Sequence, residues 1–208
     1  MSKAIRCHQG DGAPRKRYAV ILADPPWQYK VFDESDAAHG AATAHYPTMP
    51  LSEIKALPVA DLAEDDCVLF LWVTPPCLPE GLEVIKAWGF RYVTKGFNWV
   101  KTYPSGKLVM GLGHYTRANS EDCLLAVKGS PKRLDKSVSQ VIWENMPETE
   151  TLITPLREHS RKPDEQYLRI ERLFGGPYLE LFARRCWPGW DVWGNQVAGG
   201  IAFASGGE

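Results

Sequence analysis

The sequence has no C-x-x-C pair, no glycine-rich phosphate loop, no run of eighteen apolar residues and almost no net charge. Each absence removes a class of protein. Cys7, Cys67, Cys77, Cys123 and Cys186 are odd in number and nowhere spaced as C-x-x-C, so neither a disulfide framework nor a zinc knuckle is expected. Reduced, partly buried thiols and no metal site are the expectation. Without a long apolar run there is no membrane span to predict, and the start "MSKAIRCHQG" lacks the apolar stretch of a secretory leader. A cytoplasmic protein with no membrane partner is expected. The lack of G-x-G-x-x-G and of a Walker loop disfavours a pyrophosphate-bearing cofactor. A balance of 24 Lys and Arg against 25 Asp and Glu, net charge -1, argues against a protein that coats nucleic acid by bulk charge.

What is present is ordinary globular composition, 44% hydrophobic and 24% charged over 208 residues, enough for one domain with a full core. No repeat, low-complexity tract or linker divides the chain. A single domain over 1–208 is expected, with 1–17 and 198–208 as flexible tails. Charge is unevenly spread. Basic residues gather at Pro14 to Arg17, Lys128 to Lys136 and Arg157 to Lys162, and acids in "DLAEDD" and "ENMPETE", which permits a polarised surface.

Apolar runs rich in Val, Ile and aromatics predict strands at 18–23, 67–73, 91–100, 122–127 and 178–183, with a short one at 190–193. Helices are predicted at 51–56, 78–88 and 163–174, the second ending at Gly89 and the third at Gly175-Gly176. Strands alternating with helices indicate an α/β domain. Its sheet is mostly parallel, with helices on both faces and ligands beyond the carboxyl ends of the strands.

Two of those strand ends carry acids. "ILADPPWQYK" stops a buried strand at Asp24, because Pro25 and Pro26 have no amide hydrogen to extend a ladder. Each proline also holds its predecessor extended, so the tip is a rigid wall of acceptors with Trp27 beside it. "YLELFAR" places Glu180 near a second tip, where a carboxylate can accept from both hydroxyls of a ribose. A phosphate-free nucleoside cofactor fits this pattern.

D-P-P-W, "LFLWVT", "FNWVK", "NSEDCLLAVKG", "REHSRKPDEQYLRIERLF", "YLELFARR" and "GWDVWGNQV" follow one another from Tyr18 to Val197. In this combination the chain resembles the MT-A70 family of adenine-N6 methyltransferases, which has eukaryotic, bacterial and phage members. The resemblance implies a Rossmann-like methyltransferase fold with a permuted motif order, the catalytic strand before the cofactor strand. It also implies S-adenosyl-L-methionine as donor and an adenine amino group in nucleic acid as acceptor.

That amino group is conjugated and a poor nucleophile. Asp24 and the Pro25 carbonyl can accept its hydrogens, draw the nitrogen towards tetrahedral geometry and stabilise the charge that builds during transfer. Trp27 is expected to stack on a single-stranded or flipped adenine. By resemblance, Tyr46, Trp72, Glu121 and Ser160 belong to the substrate side. Asp24, Lys162, Glu180, Phe182, Arg184, Asn195 and Gln196 belong to the donor side, with Lys162 facing the methionine carboxylate. The chain departs from the eukaryotic pattern after E-L-F, where G-R-P-H is replaced by Ala183-Arg184-Arg185-Cys186. DNA is the expected polymer because the compact size resembles the bacterial and phage relatives. The alternatives are an RNA adenosine methyltransferase or a silent nucleic-acid-binding partner subunit, and a homo- or hetero-dimer is compatible with either.

Overall fold

The computed structural model describes residues 16–28, 48–103, 105–111, 115–145, 161–198 and 200–201. Seven strands form one sheet: β1 (Tyr18–Ala23), β2 (Ala63–Val73), β3 (Arg91–Thr102), β4 (Ser120–Lys128), β5 (Val141–Asn145), β6 (Tyr178–Leu181) and β7 (Trp190–Trp193). Their order is β5-β3-β4-β2-β1-β6-β7. The β1–β2, β1–β6, β3–β5 and β6–β7 pairs are parallel, and β4 runs antiparallel to both β2 and β3. The expected mostly parallel α/β sheet is present.

Period-two alternation divides the side chains between two cores. Ile21, Leu69, Leu71, Leu179 and Leu181 face one side, where they pack with α1 (Leu51–Ala56), α2 (Val59–Leu62) and α3 (Leu78–Ala87) through Ile54, Val59, Leu62, Val84 and Ile85. Val20, Leu22, Val68, Phe70, Trp72, Phe97 and Trp99 face the other side, against Tyr167 and Ile170 of α4 (Glu165–Leu173). Helices therefore cover both faces.

The boundaries moved where polar residues sit inside elements. β2 begins at Ala63 rather than Cys67, because its exposed acidic start is tied down by Arg17, which donates to Ala63 O at 2.9 Å and to Asp65 Oδ1 at 2.7 Å. β6 stops at Leu181 because Phe182 turns to φ +62°. β5 carries no sequence prediction: it is an edge strand paired to β3 alone, with Trp143 63% exposed, so it lacks the apolar run that marks buried strands. The described ends are tied to the edge strand β7. Lys16 pairs with Asp191 at 2.8 Å, and the Ile201 N–H donates to Val192 O at 2.9 Å. Cys67, Cys77 and Cys123 are free and buried. Cys186 is disulfide-bonded, against the expectation of reduced thiols; a bridge without C-x-x-C spacing leaves no local signature.

Candidate active site

The pleat that builds the second core also places the acids. Asp24 continues the Val20–Leu22 row, and Glu121 shares the row of Cys123, whose neighbour across the sheet is Trp72. Glu180 alternates with Leu179 and Leu181 of the opposite core, so it too faces α4. Because β4 runs antiparallel, its start lies at the same sheet edge as the carboxyl ends of β1, β2 and β6. Three carboxylates from three strands thus converge on one face at one edge.

Two lysines bind the first pair of acids into a chain of alternating charge. Lys101 Nζ lies 2.5 Å from Glu121 Oε1, and Lys162 Nζ lies 3.2 Å from Glu121 Oε2 and 2.8 Å from Asp24 Oδ2. Burial lifts the Asp24 carboxyl above its ordinary value against the pull of Lys162, and the charge of Glu121 adds to the lift. Burial also pushes Glu121 up, but Lys162 and Lys101 outweigh it and hold that carboxyl down at about 2. Lys162 is 8% exposed, yet its two carboxylates overcome desolvation and raise it above an ordinary lysine.

Aromatic rings floor this chain. Lys162 Nζ sits 5.5 Å from the Trp72 ring centroid and Lys101 Nζ 4.2 Å from that of Trp99, while the two indoles meet edge to face at 6.4 Å. The Trp72 indole N–H donates to Gln166 Oε1 at 2.7 Å, which links the end of β2 to α4. Trp72 is 1% exposed and belongs to the core.

Pro25 and Pro26 end the β1 ladder as expected, and their carbonyls accept from Trp27 N–H at 2.8 Å and Met49 N–H at 3.0 Å. The first bond spans only two residues and turns the chain back on itself. Trp27 is therefore 5% exposed in the first core rather than an open stacking plane. Its indole N–H donates to Trp72 O at 2.9 Å and ties the tip of β1 to that of β2.

On the β6 side, Glu180 is 7% exposed and accepts from the Tyr167 hydroxyl at 2.9 Å. Burial pushes its carboxyl up to about 7, the Tyr167 hydrogen bond opposes this, and the nearby charge of Asp24 adds to the rise. Phe182 follows in the left-handed region and meets Trp193 edge to face at 5.2 Å. The positive charge of Arg184 reaches Asp24. Asn195 and Gln196 are exposed in the turn after β7. That turn needs Gly194, since a Cβ there would stand 2.2 Å from Ala183 O. Tyr46 and Ser160 lie outside the described residues.

Sequence reasoning missed Lys101, Gln166 and Tyr167. Lys101 was findable, because it alternates with Phe97 and Trp99 in "FNWVK" and so shares their face. Gln166 and Tyr167 carried no signal beyond their helix.

The sequence model of the MT-A70 family matches residues 18–196. The chain is 33% identical over 201 residues to the Type II methyltransferase M.MunI of Mycoplasma sp, covering 88% of this chain and 79% of that protein. It is 33% identical over 188 residues to the N(6)-adenosine-methyltransferase MT-A70-like protein of Drosophila melanogaster, again 88% of this chain but 27% of the relative. The N(6)-adenosine-methyltransferase catalytic subunit METTL3 of Homo sapiens is 32% identical over 188 residues, 88% of this chain and 29% of the relative. The chain spans most of the bacterial relative and under a third of each eukaryotic one.

Proposed function

The chain belongs to the MT-A70 family, and from that premise we propose that it transfers a methyl group from S-adenosyl-L-methionine to the N6 amino group of adenine in nucleic acid, with DNA the favoured polymer. The observation that carries this reading is the proline-locked tip of β1, where Asp24 stands against Lys162 at one end of a buried charge chain. DNA is favoured because the chain spans 79% of the Mycoplasma Type II methyltransferase but 27% and 29% of the Drosophila and human relatives.

The residues of the β6 side suit such a donor. Glu180 is a buried carboxylate that accepts from the Tyr167 hydroxyl, and its raised pKa marks a site that further hydroxyl donors would stabilise. Lys162 supplies a cation for a carboxylate, and Asn195 and Gln196 offer both donors and acceptors at the end of β7. The bound donor supplies a methyl group on a sulfonium, transferred as the carbon–sulfur electron pair returns to sulfur.

The chain's own residues do the rest. Asp24 and the free lone pair of the Pro25 carbonyl accept the amino hydrogens and turn the nitrogen lone pair out of conjugation. As the new carbon–nitrogen bond forms, the nitrogen becomes positive and gives up one proton. Asp24, lifted above the ordinary carboxylate range, is the chain's acceptor for it. Lys162 must leave Asp24 at least in part for this to happen, and Lys101 keeps Glu121 compensated when it does. Glu121 is then an ionised acceptor able to read a donor edge of the base.

The test is incubation of the purified chain with labelled donor and matched DNA and RNA oligonucleotides, single- and double-stranded, followed by analysis of product nucleosides. N6-methyldeoxyadenosine is expected. Methylation confined to RNA would overturn the polymer, and nucleic-acid binding without any methyl transfer would favour the silent partner.

A further inference from the structure

Arg185 takes the place at which the eukaryotic G-R-P-H pattern has proline, and it sits in the segment 182–189 that joins β6 to β7. Those strands are parallel neighbours, which ordinarily need a crossover of a dozen residues or more. So short a crossing has to be strapped to whatever lies beneath it, and here that is α4. The indole N–H groups of Trp187 and Trp190 donate to Glu171 Oε1 at 3.2 and 2.9 Å, and Trp187 stacks on Tyr167 with centroids 4.4 Å apart and planes 10° off parallel.

Arg185 completes the strap at the end nearest the site. Its Nη2 donates to Asp164 Oδ1, and its guanidinium carbon lies 5.0 Å from the Trp187 ring centroid and 5.6 Å from that of Tyr167. Asp164 follows Lys162 by two residues and also receives Arg161 Nη2 at 3.0 Å. Tyr167 donates to Glu180. One side chain therefore touches the segment that carries the buried lysine and the ring that holds the buried acid.

We propose that Arg185 is a positioning residue that locks the Lys162 segment and the Glu180 wall into a single donor-binding geometry. The inference rests on the reading of this site as the donor site. A planar guanidinium between two rings and a carboxylate fixes direction as well as charge, which an ammonium cannot do. Because the Arg185 and Asp164 side chains are 31% and 46% exposed, the ion pair itself is modest; its effect lies in the placement of groups on either side.

The test is calorimetric titration of S-adenosylmethionine, and separately of S-adenosylhomocysteine, into wild type, R185A, R185K, D164N and the R185A/D164N double variant. Reducing buffer releases the Cys186 bond, and ligand-free melting is measured in parallel. R185A and D164N are each expected to weaken binding about five- to tenfold, with R185K intermediate and the double variant no weaker than the worse single. Donor affinity unchanged in R185A, or losses that simply add, would overturn the lock even where melting temperatures fall, since a merely structural strap moves melting alone. Should R185A not fold, D164N and R185K decide, and wild-type affinity in both overturns the proposal. A wild-type chain that binds neither compound overturns the donor reading and the lock with it.

Discussion

Lys162 Nζ meets Asp24 Oδ2 at 2.8 Å although 138 positions separate them in sequence, and the same ammonium lies 3.2 Å from Glu121 Oε2. One buried cation thus compensates two carboxylates. Removing a partner from such a cluster leaves uncompensated charge and costs roughly 3–5 kcal/mol. In Lys162→Met, burial acts on Asp24 against the charge of Arg184 and on Glu121 against Lys101, each without the nearest counter-charge, so both carboxyls rise. A carboxyl raised above its unfolded value gives stability at low pH that is lost as pH climbs through the folded value. The deficit of the variant relative to wild type should therefore widen as pH rises from acid towards neutrality in thermal melts. A constant deficit would sink the shared-cation account.

Asp24→Ala should leave the fold largely intact and lower methyl transfer on the order of a hundredfold or more, the usual cost of one lost acceptor or donor aimed at developing charge. Single-turnover rates at saturating donor are the measurement. A rate within threefold of wild type would remove Asp24 from the chemistry.

Glu180 gives the opposite balance of stability and function. Its carboxyl rises from 4.5 to about 7 on folding, worth on the order of 3 kcal/mol against the folded state once the group ionises. Glu180→Gln keeps the acceptor for Tyr167 and removes the buried charge. The variant should melt higher than wild type at pH 8, with the advantage shrinking towards pH 5, where the wild-type carboxyl is itself protonated. It should also bind the donor more weakly. Equal melting at pH 8 would contradict the burial account, and equal donor affinity would move the ribose contact elsewhere.

Gly194→Ala places a carbon 2.2 Å from the backbone oxygen of Ala183, which cannot yield as a flexible side chain would, so the turn bearing Asn195 and Gln196 has to shift away from Ala183. About 1–3 kcal/mol of stability should go, as for other overpacked sites. Donor affinity should fall with it, whereas Gly189→Ala is strained by its φ of +83° but meets nothing within 4 Å and lies away from that turn. Calorimetry on both variants separates the two cases, and equal donor affinities would argue that the turn does not touch the donor.

Substrate binding should depend on local rather than overall charge. Lys132 and Arg133 are exposed in the segment between β4 and β5, while the chain as a whole is at -1. If few phosphates are contacted, log affinity should fall against log salt with a slope of roughly minus two to minus four. Lys132→Ala with Arg133→Ala should flatten that slope and leave donor affinity alone. An unchanged slope would place the phosphates on other residues.

The strand tips were legible from local chemistry alone. Two prolines after Asp24 remove ladder donors whatever surrounds them, and alternation of apolar residues sets the two faces of β1, β2 and β6, so the positions of Asp24, Trp72 and Glu180 along their strands were legible. Glycine in W-G-N-Q was legible as a motif, though its cause, the approach of Ala183, was not. Which charges meet, by contrast, is a property of the folded sheet. That Lys162 enters between Asp24 and Glu121, that Lys101 takes the far oxygen of Glu121 and that Trp27 turns inward to Trp72 all depend on sheet order and on the antiparallel course of β4. Local pattern reports the face on which a side chain stands. Which partner it finds there is set by contacts between segments far apart in the chain, and the energies of those contacts depend on burial that no local pattern encodes.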